Sequence, residues 1–130
     1  AFQPHMHGLG SYQCLELIYP SEGATAKTEM ISCANWDYNW HTIYNYADDV
    51  APLVPAGTVA HLISYFDNTE TNPGNHDARN WTGDGPRTID EMSFAWLGWY
   101  SMTDDQYVAE IERRSSIQSE MSGIASSAGE

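Results

Sequence analysis

The sequence predicts an all-β, antiparallel domain that ends in a short helix or frayed tail, and three observations carry that prediction. Apolar and aromatic residues alternate with a period of two through most of the chain before Thr103. Clusters of Pro, Gly, Asn and Asp punctuate these runs as turns do. The period changes only at Thr103-Asp104-Asp105-Gln106, which reads as a capping box ahead of Tyr107, Val108 and Ile111 at helical spacing. With 130 residues, 42% of them hydrophobic, the chain is one ordinary domain with enough apolar surface for a core.

The elements follow in order. Gln13 to Tyr19 and Lys27 to Cys33 are strand-like runs flanking the turn Pro20-Ser21-Glu22-Gly23. A hairpin closed symmetrically about Gly23 and Ala24 sets Cys14 opposite Cys33, where a non-hydrogen-bonded pair brings Cα atoms to about 4.5 Å. One disulfide is therefore expected, and with it an oxidising, secreted or periplasmic compartment. The alternative is two independent buried thiols.

From Trp36 to Tyr46 aromatics alternate with polar residues, as in a half-buried strand with Trp36, Tyr38 and Trp40 on one face. Gly57 to Asp67 reads as a strand buried on both faces, and Glu91 to Tyr100 as a central strand. Between them Asn68 to Gly85 is a long surface excursion. Beyond Arg114 the composition falls to Ser, Gly, Ala and Glu, with isolated Ile117, Met121 and Ile124, so that end is expected to fray or to be ordered by a partner. This divides the chain into a β-domain over 1–102 and a helical or flexible tail over 103–130.

Charge narrows the partners. Five basic against eighteen acidic residues give a net charge of −13, a field that repels phosphate backbones and anionic membranes. No apolar run is long enough to span a bilayer. There is no basic n-region followed by an apolar h-region, so a signal peptide is expected to lie upstream or to have been removed.

His5-Met6-His7 is the strongest chemical feature. On a strand, residues two apart share a face, so the two imidazoles can clamp one metal while Met6 points the other way. A third ligand is needed, from His41, His61, His76, Met92, Asp67, Asp77, Asp84 or Asp90. A His or carboxylate would favour zinc, and a thioether copper, especially Cu(I). Three other readings stand beside this one: a carbohydrate platform on Trp36, Tyr38 and Trp40; Ca2+ among the loop carboxylates; and a glycosylation sequon at Asn80-Trp81-Thr82.

Seven short motifs bear on the choice. They are His5-Met6-His7-Gly8-Leu9-Gly10, Leu17-Ile18-Tyr19-Pro20, Trp36-Asp37-Tyr38-Asn39-Trp40, Val54-Pro55-Ala56-Gly57-Thr58, Tyr65-Phe66-Asp67-Asn68, Asn72-Pro73-Gly74-Asn75 and Thr88-Ile89-Asp90-Glu91-Met92. In order and spacing they resemble the C-terminal copper domain of the type II, ascorbate-dependent copper monooxygenases. Animal members of that family include peptidylglycine alpha-hydroxylating monooxygenase and dopamine beta-monooxygenase, and this chain is more similar to the bacterial members. The resemblance covers roughly residues 3 to 100.

It implies an antiparallel jelly-roll β-sandwich whose copper is held by His5, His7 and Met92. Two imidazoles and a weak thioether stabilise Cu(I) and leave a position open for dioxygen. In the family this copper activates O2 to hydroxylate a C–H bond, and a second copper in a separate N-terminal domain delivers an electron. The resemblance thus implies such a domain, or a separate electron-donor subunit, as partner, with assembly through the tail as a further expectation. The peptide-hydroxylating members carry Arg where this chain has Gln3, and Asn and Tyr where it has Phe94 and Trp96. A substrate pocket at Gln3, Phe94 and Trp96 is therefore expected to be apolar and aromatic rather than built for a carboxylate. The rival expectation is a non-catalytic copper-binding or assembly module on the same scaffold.

Overall fold

A computed structural model describes residues 1–21 and 26–127, with side chains through Met121. Five strands and one helix follow in the order β1 (Phe2–Met6), β2 (Gly10–Ile18), β3 (Thr28–Asn35), β4 (Val59–Phe66), β5 (Ser93–Leu97) and α1 (Asp104–Ser127). The strands form two antiparallel sheets, a β1–β5 ribbon and a three-stranded sheet ordered β3-β2-β4. The chain divides into two units: Ala1–Tyr46 with Val54–Gly98, and Ala47–Leu53 with the chain from Trp99 onward.

Central strand β2 carries the densest apolar run, and Leu15 and Leu17 bury with Phe2 of β1 and Ala34 of β3. Leu62, Ala95 and Leu97 pack on this cluster, so both sheets share one core. Fully buried Gln13 ties them further, its Nε2 donating to Ser64 Oγ at 2.9 Å and to Ser93 Oγ at 3.2 Å. The expected hairpin register holds from Tyr12–Asn35 to Leu15–Ser32, after which a bulge between Leu15 and Glu16 shifts the pairing by one residue. Cys14 and Cys33 are paired as a disulfide with Cα atoms 4.1 Å apart. Residues 22–25 of the expected turn lie outside the described residues.

Three expectations change. The segment Trp36–Tyr46 is irregular, and its backbone bridges to β1 where Phe2 and Tyr44 exchange hydrogen bonds of 2.9 Å. Two local features stop the ladder there. The next donor on that edge of β1 would be Pro4, which has no N–H. Asp37 also draws the chain into a turn, accepting from Asn39 N at its carboxylate (2.8 Å) and from Trp40 N at its carbonyl (3.0 Å).

Strand β4 was expected to be buried on both faces and β5 to be central, but each is an edge with one partner among the described residues. Val59 and Tyr65 are accordingly more than half exposed, and Trp99 and Tyr100 lie beyond the end of β5 in solvent. Apolar alternation does not distinguish an edge from a centre.

The helix begins as expected. Gln106 N donates to Thr103 Oγ1 at 3.3 Å, while Thr103 N donates to Gln106 Oε1 at 2.9 Å, and Asp104 and Asp105 fill the first turn. It does not end near Arg114, however, but runs to Ser127. Ser116 and Ser119 donate to the Arg113 and Ser115 carbonyls at 2.8 and 2.9 Å, so these hydroxyls turn back onto the helix instead of competing with it. Arg114 fastens the segment Ala47–Leu53 to the helix, donating to the Asp48 and Ala51 carbonyls at 2.6 and 2.7 Å. No helix among the described residues is long and apolar enough to cross a membrane.

Candidate metal centre

Strand alternation sorts β1 into two faces. Phe2 and Met6 point inward and are fully buried, and Pro4 is buried between them. Gln3 and His5 occupy the other face, and the register sets Gln3 against Trp96 and His5 against Phe94. His7 directly follows the last residue of β1, and Met92 directly precedes Ser93, the partner of Met6. The ribbon therefore sets Gln3 and His5 beside Trp96 and Phe94, with the His7 ring next to that of His5, although they come from opposite ends of the β-domain sequence. Gly10 allows the turn after His7 to close, because a Cβ there would lie 2.5 Å from Met6 Cβ.

The two imidazoles lie with ring centroids 5.5 Å apart and planes 80° apart. Two histidines that share an ion through bonds of about 2.0 Å have centroids roughly 5 to 6 Å apart, a range that includes this separation. His5 sits in an aromatic cage, with Phe94 at 4.5 Å, Trp96 at 5.5 Å, Trp36 at 5.6 Å and His41 at 5.7 Å. Its Nδ1 is buried with no hydrogen-bond partner. Burial first, then the neighbouring His7 and His41, hold its pKa below the usual histidine value. These effects disfavour the charged ring, and the neutral ring is the form that ligates a metal.

Buried His7 makes a different contact. Its Nδ1 lies 3.1 Å from the backbone carbonyl of Asp90, and since a carbonyl only accepts, Nδ1 carries the proton and Nε2 the lone pair. The Asp90 carboxylate is bonded to Arg87 at 2.6 Å, and the guanidinium holds the carboxyl pKa below the ordinary aspartate range. Trp36 Nε1 donates to the His7 carbonyl at 3.3 Å, fixing the backbone directly after His7.

Among the described residues no three His, Cys, Asp or Glu side chains form a metal-holding group. Half-buried Met92 directly precedes β5. His61 is on β4, where it pairs with Glu16 at 3.0 Å. His76 lines an open hollow with Glu70 and Asp77 in the loop before β5. The loop carboxylates are engaged locally, Asp67 with Thr69, Asp77 with Arg79 and Asp90 with Arg87, and are not assembled around a common point.

His41, a candidate ligand expected inside a strand, directly follows a turn instead. The Asp37 turn brings its ring to 4.7 Å from Trp36, and its Nε2 lies 2.8 Å from the Tyr38 carbonyl. The signal was present in Asp37 and Asn39, which favour a turn over a strand. The same turn dissolves the aromatic platform, since Trp36 is 9% exposed beneath the histidines and Trp40 is 76% exposed. Phe94 and Trp96 instead make a T-shaped pair with centroids 4.5 Å apart, Trp96 half exposed beside His5. Comparison with family models, curated proteins and solved structures finds no match for this chain.

Proposed function

We propose that this chain is a copper-binding β-domain carrying the substrate-side copper of an O2-dependent hydroxylating monooxygenase. His5 and His7 anchor the ion and Met92 supplies the soft ligand that favours Cu(I). The observation that carries the reading is the imidazole pair itself. Its rings stand at ion-sharing separation, one with an unpartnered buried Nδ1, the other with Nδ1 occupied by a carbonyl. When bound, copper supplies one-electron redox chemistry at a position left open to dioxygen. The protein's part is to disfavour the charged form of His5, to hold the His7 proton on Nδ1, and to exclude water with the Trp36, His41 and Phe94 rings.

Trp96 and Phe94 offer an apolar, aromatic shelf for substrate, with Gln3 as its polar edge. Two antiparallel sheets over a common core support a jelly-roll sandwich as the underlying fold. A second copper domain or electron-donor subunit completes turnover in this reading. The Cys14–Cys33 disulfide supports a secreted or periplasmic location.

A second reading, a non-catalytic copper-binding or assembly module, is favoured by α1, which leaves Val108, Ile111 and Met121 exposed. Metal analysis of the copper-reconstituted chain beside His5→Ala, His7→Ala and Met92→Leu tests both. One copper per chain, lost in either His variant and held less tightly as Cu(I) in the Met variant, is the expected result. Oxygen consumption with a reductant and a second copper domain then separates enzyme from module. No copper above background overturns the copper readings and leaves the assembly module.

A further inference from the structure

We propose that Arg87 and Asp90 act as a positioning clamp that fixes the tautomer and orientation of the His7 ring, and so sets the affinity of the site. This rests on the reading of His5 and His7 as a metal pair. The Asp90 carbonyl that receives the His7 proton belongs to the same peptide unit as the Glu91 N–H, and that N–H donates to the Gly83 carbonyl at 3.0 Å. One side of the peptide plane is thereby pinned. The Asp90 side chain pins the other, taking Arg87 Nη2 at 2.6 Å, Arg87 Nε at 3.0 Å and the Arg87 backbone N–H at 3.1 Å. Asp90 N closes the turn onto the Arg87 carbonyl at 2.9 Å.

Gly85 makes the arrangement possible, because a Cβ there would collide with the Asp90 carboxylate. Left to itself, a peptide carbonyl at the end of a loop can rotate away from an imidazole, and the ring then populates both tautomers. Here the carbonyl cannot turn without breaking a charge-assisted, forked ion pair. Met92, two residues further on, is carried by the same turn. A guanidinium whose side chain is 71% exposed thus reaches the buried ring of His7 through one carboxylate and one peptide plane.

The test uses the full chain with Arg87→Gln, Arg87→Lys and Asp90→Asn. The His7 tautomer is read by 15N NMR on metal-free protein, Cu(I) affinity by competition with a chromophoric chelator, and folding by thermal melt. Wild type should show His7 as the Nδ1–H tautomer alone. Arg87→Gln and Asp90→Asn should mix the tautomers and weaken Cu(I) by about 10- to 100-fold, the range for lost outer-shell partners. Arg87→Lys, which keeps the charge but not the fork, should fall between. An unchanged tautomer and affinity in folded Arg87→Gln overturns the clamp, as does a loss of affinity that tracks melting temperature with the tautomer intact. A wild-type chain that takes up no copper overturns the metal reading instead, and the tautomer measurement, made without metal, still decides whether the clamp governs His7.

Discussion

Breaking the Cys14–Cys33 bridge should cost stability without costing the metal pair. The bridge closes a loop with a sequence separation of 19 between adjacent strands β2 and β3. For a loop of that length the chain-entropy relation predicts that the cross-link stabilises the folded state by about 3 kcal/mol. Both cysteines are already in register, so little of that should be lost to distortion of the sheet. The Cys14→Ser/Cys33→Ser double variant should therefore unfold at lower urea, with a melting temperature lower by about 10 °C. Its urea m-value should rise, because the uncrosslinked unfolded chain exposes more surface. Metal binding should persist below the transition, since His5 and His7 stand on the β1 ribbon rather than on the bridged hairpin. Tryptophan fluorescence in urea, with and without copper, measures both. A loss below about 1 kcal/mol would refute the entropic argument, and copper lost from the still-folded variant would refute the separation of site from staple.

Gly10→Ala should destabilise the fold by about 1–3 kcal/mol, because the new methyl group meets fully buried Met6; a melt shows it, and an unchanged melting temperature contradicts the contact. Phe2→Ala, at the fully buried end of the core, should cost about 3–5 kcal/mol in urea unfolding. Glu110 is held at about 2 by Arg113 and Arg114, below its ordinary 4.5, so its contribution is full above pH 4.5 and lost as pH falls through about 2. Helical circular dichroism titrated between those values should lose that dependence in Glu110→Gln. Thr103→Ala removes the cap and should cost about 1 kcal/mol, read as lower helical signal.

How much of this was legible in the sequence depends on whether the controlling interaction is local. The capping box of Thr103 and Gln106 is four residues long and can be read directly. So can the Cys14–Cys33 register, because a hairpin's pairing is set by its turn, although the bulge at Leu15 and Glu16 leaves no mark in the hydrophobic pattern. The strand expected over Trp36 to Tyr46 failed because its alternation was read without its partner. Pro4, more than thirty residues upstream, removes the donor that a second ladder would need. The serines of α1 mislead in the opposite sense, since helix propensity alone does not reveal that their hydroxyls bond back to the preceding turn. At the site, the imidazole pair followed from strand geometry, whereas the Asp90 carbonyl could not, because backbone acceptors look the same in every sequence.

The alternation that makes β1 a strand also separates its two tasks. Phe2 and Met6 are buried on one side, and Gln3 and His5 face the aromatic shelf on the other. An ordinary two-stranded ribbon in water is marginal. This one is held on its inner face by the common core and is pinned beside His7 by the Arg87–Asp90 turn. Substitutions on the inner face should therefore move the melting temperature and leave the metal affinity of the folded fraction unchanged. Outer-face substitutions at His5 or Trp96 should do the reverse. Affinity and stability that moved together at both faces would mean that the ribbon folds around its metal rather than presenting a preformed pair. The unpartnered, buried His5 Nδ1 argues against that order of events: the fold already bears the cost of burying it, about 1–3 kcal/mol, before any ion arrives.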